Sequence, residues 1–317
     1  MATMGPSASG IALDRRALLK GAALAGLGAV AAGCAGAHLE PASDAAVDPA
    51  PGAEHVGHRA PAGGAPAAAG GASGDTAQMI FTAALIAEDL ATTFYYQGLT
   101  GEVLQDPRLA GPEGSVANVS LLGSPGNVGY LRAALAEEIS HADLMRQLIG
   151  RADAAADPVQ TFFFPDGSFE DLATFLATLD ALESAFVGAY LAAVRQFAAM
   201  AAHLPPADGP QLDPRGNAYS SEQLAYFAEV SASILGVEAE HRALGRVIGQ
   251  SIPANQLCYE QTAGIRTVYN GAASAVAALQ PFVKTGAKGF GATGYSLHTA
   301  RTGAAKLVTP CTGGLPG

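Results

Sequence analysis

The sequence predicts an all-α protein built on a four-helix bundle, and three observations lead there. Four long segments, roughly Thr76–Thr100, Gly126–Arg151, Ser168–His203 and Ser220–Gln250, are rich in Ala and Leu, which favour helix. Breakers separate them: Gly101 and Gly111-Pro112, then Asp157-Pro158 and Pro165-Asp166-Gly167, then Pro205-Pro206 to Pro214. No alternating run between them reads as a β-hairpin. Composition agrees with a folded domain: 49% of the 317 residues are hydrophobic and 14% charged, too apolar for general disorder. The 28 acidic and 17 basic residues leave a net charge of −11, which repels phosphate backbones and speaks against nucleic acid as a partner. Three Cys are too few for a disulfide scaffold.

Ahead of the bundle, residues 1–37 read as an export signal. Arg15-Arg16 followed by Ala17-Leu18-Leu19-Lys20 resembles the twin-arginine motif, which serves proteins exported in the folded state. The uncharged stretch Gly21–Gly33 would span about 20 Å as helix, short of the roughly 30 Å of a bilayer core. A signal h-region therefore fits better than a transmembrane helix. Ala31-Ala32-Gly33-Cys34 resembles a lipobox, with Ala31 where Leu or Val is usual; Ala35-Gly36-Ala37 offers a competing cleavage site. The expected location is the periplasm or cell envelope, with lipid anchoring through Cys34 as one arrangement. Residues 38–75 form a tether: between 38 and 74 lie 12 Ala, 7 Gly and 5 Pro, with no helical or strand period. His38, His55 and His58 within it read as solvated.

The bundle itself, residues 76–260, carries acids in an unexpected place. Side chains three, four and seven residues apart share a helix face. Glu88 has Ala84, Leu85, Ala91 and Tyr95 at those offsets; Glu138 has Leu131, Ala134, Leu135 and Met145. Glu183 has Leu176, Leu179, Phe186 and Val187, and Glu238 has Ile234 and Leu235. Each Glu thus sits on an apolar stripe, one per helix and near its middle. Two have a partner: Glu138-Ile139-Ser140-His141 and Glu238-Ala239-Glu240-His241 are both Glu-x-x-His, a spacing that turns carboxylate and imidazole toward one point.

Four ionised carboxylates in a helical core are prohibitively costly unpaired. Two divalent cations balance them with both imidazoles neutral. Oxygen and imidazole donors without thiolate suit iron or manganese rather than structural zinc. The candidate ligands are Glu88, Glu138, His141, Glu183, Glu238 and His241. This order and these spacings resemble the di-metal carboxylate bundles of the ferritin-like superfamily, in which two helices give a Glu and two give Glu-x-x-His. Ala87-Glu88-Asp89-Leu90 with Thr93-Phe94-Tyr95, together with Phe163-Phe164-Pro165 and Pro253-Ala254-Asn255, is similar to the bacterial group that includes desiccation-related proteins. The resemblance implies a dinuclear iron or manganese centre and redox chemistry with dioxygen or peroxide: oxidation of Fe²⁺, peroxide removal, or oxidation of a small organic substrate. The absence of a Cys-rich rubredoxin-like module counts against a rubrerythrin-type peroxidase. The alternative is a non-catalytic envelope or desiccation-stress bundle whose Glu/His pairs hydrogen-bond without functional metal. Self-association into a homodimer or larger homo-oligomer is compatible with either, whereas a closed iron-storage shell fits poorly with a tether.

Several neighbours are ambiguous. Glu137 and Glu240 flank the chosen ligands and are expected around the centre or at the surface. Tyr95 and Tyr190, each seven residues after a ligand Glu, read as core packing in preference to hydrogen-bonding a ligand. Arg242 reads as solvated. Residues 261–317 form a C-terminal extension: a short helix within 267–283, then a tail with Gly at 8 of 34 positions and no assignable element. Cys258 and Cys311 are a candidate disulfide outside the cytoplasm. The connection between the second and third helices is long enough to cross the bundle.

Overall fold

The computed structural model describes residues 75–106, 109, 126–203, 209–255, 258–265 and 269–310. The export signal, the tether, Cys34 and Cys311 lie outside these residues. Helix α1 (Ala77–Thr100) opens at Thr76, whose hydroxyl accepts from the Met79 N–H. Helix α2 spans Asn127–Leu148. Helix α3 (Leu172–Ala202) opens at Asp171, whose carboxylate accepts from the Thr174 N–H. Helix α4 (Ser221–Ile248) opens with a reciprocal capping box of Ser220 and Gln223. The four segments expected from composition and breakers are these four helices.

Side-chain pairings fix their directions. Gln78, early in α1, bonds the carbonyl of Leu148 at the end of α2, so α1 and α2 are antiparallel. Phe81 meets Phe197 with ring centroids 5.1 Å apart, and Phe94 stacks on Phe175 at 4.7 Å; α3 therefore also runs against α1. Arg246 near the end of α4 bonds Asp180 near the start of α3, while Ser221 bonds the Ala201 carbonyl. Helices α2 and α3 are consequently parallel to each other, and residues 149–171 must return along the bundle. Their path is visible in its contacts: Asp157 meets Arg146, Phe164 meets Phe94, and the Phe169 carbonyl accepts from the Val103 N–H beyond the end of α1. The crossover that length permitted is present.

That crossover carries β1 (Thr161–Phe162), which pairs antiparallel with β2 (Tyr295–Ser296) from the tail. Two-residue strands are too short to show alternation, and the partner lies far along the chain. After α4 come α5 (Cys258–Ala263), α6 (Ala272–Ala278), α7 (Gln280–Val283) and α8 (Leu297–Ala304). Helix α8 corrects the expectation that the Gly-rich tail holds no regular element. Gly286 and Gly289, at φ +86° and +80°, lie in the turn before it. Inside it, a Cβ at Gly303 would sit 2.2 Å from the Tyr96 hydroxyl, so a larger residue there requires that ring to shift. Leu297, Ala300 and Ala304 are fully buried, with the helix packed on α1.

The core divides along the bundle. One apolar cluster gathers around Phe94, Phe164, Phe169 and Phe175, and the other around Phe81, Phe197 and Phe227. Glu88 on α1 lies at the level where they meet, and the buried Glu138, Glu183 and Glu238 gather there.

Candidate metal centre

The six candidate ligands converge. Glu88, Glu138, Glu183 and Glu238 are all essentially inaccessible, and His241 is buried with them; His141 is slightly more accessible, its side chain 13% exposed. Two sets of donor atoms form, each with all its atoms within 4.8 Å of one another: Glu88, Glu138, His141 and Glu238, then Glu138, Glu183, Glu238 and His241. The sets share Glu138 and Glu238, the carboxylates of the two Glu-x-x-His motifs. Glu88 and His141 belong to one side only, Glu183 and His241 to the other.

Both imidazoles turn Nδ1 inward. His141 Nδ1 lies 3.5 Å from Glu88 Oε2 and 3.5 Å from Glu238 Oε1. His241 Nδ1 lies 3.0 Å from Glu138 Oε1 and 3.7 Å from Glu238 Oε2. His241 Nε2 donates to Glu137 Oε2 at 2.8 Å. A carboxylate only accepts, so this bond places a proton on Nε2 and presents Nδ1 to the centre, the usual arrangement of a metal-bound histidine. Glu137 is half exposed and so connects the buried ring to solvent. Glu240 is exposed.

The tyrosines differ from expectation. Tyr95 on α1 donates to Glu183 Oε1 on α3 at 2.6 Å, and Tyr190 on α3 donates to Glu88 Oε1 on α1. The bonds run both ways across the α1–α3 pair. They are buried packing residues whose hydroxyls also hold the carboxylates, and seven-residue spacing alone could not show the reach to the opposite helix. Arg242 is corrected too: it is largely buried, 3.5 Å from Asp180 and 3.8 Å from Glu260. A network absent from the sequence reading adjoins the site. Buried Arg146 on α2 reaches Asp89 on α1 at 2.7 Å and Asp157 in the crossover at 2.6 Å, and also Asp143. No spacing rule links Arg146 to Asp157 until the crossover is placed.

The donors fit divalent metal. Eight buried atoms of these six residues have no hydrogen-bond partner: Glu88 Oε2, both oxygens of Glu138, both of Glu238, Glu183 Oε2, and Nδ1 of each histidine. They all belong to the two donor sets, in a protein interior where unsatisfied polar atoms are costly. Without metal the ring compensates through protons. Burial, reinforced by Glu238, pushes the Glu88 and Glu183 carboxyls well above the usual range. Burial acts the same way on Glu138, but the neighbouring imidazoles of His141 and His241 outweigh it and hold that carboxyl below its ordinary value. Burial opposes charge on the imidazoles; Glu88 beside His141, and Glu137 and Glu138 beside His241, raise both nonetheless.

Residues 76–203 match the ferritin-like domain. The match covers α1 to α3 and ends before α4, so Glu238 and His241 lie beyond it; the fold brings them to the same centre. The all-α, ferritin-like fold agrees with the predicted class. No curated protein and no solved structure matches the chain.

Proposed function

We propose that the chain is an exported ferritin-like protein whose bundle holds a dinuclear iron or manganese centre for oxidase-type or stress-protective redox chemistry. The observation that carries this reading is the pair of donor sets sharing Glu138 and Glu238, because shared carboxylates are what two adjacent cations need between them. Glu88 with His141 would complete one ion's ligands, and Glu183 with His241 the other's. Two adjacent redox metals would supply the electron pair that dioxygen or peroxide takes up.

The remaining roles belong to the chain's own groups. Tyr95 and Tyr190 orient Glu183 and Glu88 through their hydroxyls. Glu137 holds His241 in the tautomer that directs Nδ1 inward and gives a proton a path to solvent. The twin-arginine-like segment supports passage to the periplasm or envelope with cofactor seated, and the lipobox-like Cys34 supports a lipid anchor, with residues 38–75 as the tether. Association with further copies of the chain completes the proposal.

Elemental analysis tests the centre. Protein prepared with iron or with manganese is expected to retain about two ions per chain, and the Glu138→Ala/Glu238→Ala variant to lose them. Metal-free protein under both conditions, with fold and stability unchanged in the variant, would leave a structural bundle instead.

A further inference from the structure

Beside the carboxylate ring lies a cavity with about 40 Å³ open to the centre of a water-sized sphere, where one water needs roughly 10–15 Å³ by that measure. Its inner wall is built from residues one or two helical turns from the ligands. Ala84 is four before Glu88, Met145 is four after His141, Phe186 is three after Glu183, and Ser231 is seven before Glu238. Tyr190 also lines it while donating to Glu88. Its outer wall is α6, through Ala272 and Ala275. Ala84, Ala185, Ala189 and Ala275 are only partly buried, so the side between α1, α3 and α6 opens toward solvent.

The lining decides what enters. Among the described residues, no charged side chain lines the cavity. Of its four polar side chains three bond elsewhere: the Ser231 hydroxyl to the Phe227 carbonyl at 2.8 Å, the Gln196 amide to Asp75 at 2.9 Å, and Tyr190 to Glu88; the fourth, Tyr269, is on the outer side beside α6 and only partly buried. An apolar space whose inner polar groups are committed to protein holds water poorly and accepts small apolar molecules. Ions are excluded by the cost of desolvation, so metal must reach the ring elsewhere, and half-exposed Glu137 lies beside His241.

We infer that this cavity is a binding site for a small, uncharged, apolar molecule, and that its occupant is dioxygen, admitted to the Glu88 side of the ring past Tyr190. The assignment of dioxygen rests on the proposed dinuclear centre; the affinity for an apolar gas does not. The two are therefore tested separately, on the full chain.

Xenon is the first probe, read by ¹²⁹Xe NMR on metal-free protein. Saturable binding is expected in the wild type and its loss in Ala189→Phe, which fills the cavity from its rim. Ala84→Leu serves as a second, smaller filling should the first variant not fold. No saturable xenon binding in the wild type overturns the site. The second measurement is the bimolecular rate of dioxygen consumption by iron(II)-loaded protein. The filled variants should retain wild-type metal content and react at least about tenfold more slowly. Xenon binding with an unchanged dioxygen rate overturns the delivery role. Failure to load metal at all is a failure of the dinuclear reading and leaves the xenon result standing.

Discussion

Two tyrosine hydroxyls restrain carboxylates that have few other partners. Glu183 Oε1 takes its bond from Tyr95, and Glu88 Oε1 from Tyr190. Leaving a buried acceptor unsatisfied costs about 1–3 kcal/mol. Tyr95→Phe and Tyr190→Phe are each expected to lower the stability of the metal-free protein by that amount in urea unfolding, with metal stoichiometry retained. Protons govern the same groups. His141 and His241 are held protonated above the ordinary imidazole value, and Glu88 and Glu183 above the ordinary carboxyl value. Metal requires all four deprotonated. Affinity should therefore rise as pH climbs past the ordinary imidazole range, and binding should release protons. Calorimetry in buffers of different ionisation enthalpy reads both; a pH-independent affinity would contradict the assigned ligands.

Helices α1 and α2 are locked together beside the ring by Arg146. Its guanidinium meets Asp89, Asp157 and Asp143, and Asp143 also meets Arg301 of α8. One cation thus joins two helices and the crossover, and through Asp143 the tail. Burial raises the Asp89 carboxyl, against the pull of Arg146. Removing one member of a buried ion pair costs about 3–5 kcal/mol because the partner charge remains. Arg146→Ala should lose about that much in denaturant unfolding, and adding Asp89→Asn and Asp157→Asn should restore part of it. Between α1 and α3 the decisive residue is Gly98. A Cβ there would lie 2.4 Å from Cε2 of Phe175, the ring that stacks on Phe94. Gly98→Ala should cost about 1–3 kcal/mol through overpacking, despite the better helix propensity of Ala. An unchanged denaturation midpoint would show that the ring gives way freely.

The tail belongs to the folded unit. β2 pairs with the crossover strand, α8 packs on α1, and Arg132 of α2 bonds the Leu307 carbonyl at 2.8 Å. Tyr295 closes an aromatic cluster with Phe164 and Phe169. Leu297 is fully buried, so Leu297→Ala should cost about 2–5 kcal/mol, measured by thermal or urea unfolding. A cost near zero would mean that α8 is only loosely attached. The crossover, held by this tail at β1 and by Arg146 at Asp157, is clamped at two points along its return path. The ring is therefore supported from both sides: by the aromatic cluster toward the end of α1 and by the Phe81–Phe197–Phe227 cluster toward its start.

Much of this was legible in the residues. Helix propensity and breakers are local properties, so four helices and their approximate ends followed from the chain alone. A carboxylate on an apolar stripe conflicts with burial unless something neutralises it. Four such conflicts, two with His three residues on, mark Glu88, Glu138, His141, Glu183, Glu238 and His241 as candidates from the sequence alone. Pairings between distant segments were not legible. The cross-helix tyrosine bonds, the Arg146 network, the strand joining crossover to tail, and the cavity beside Tyr190 each depend on which faces meet. That choice is made by packing: the parallel course of α2 and α3, and the close approach at Gly98, bring together side chains whose sequence separation carries no periodic signal.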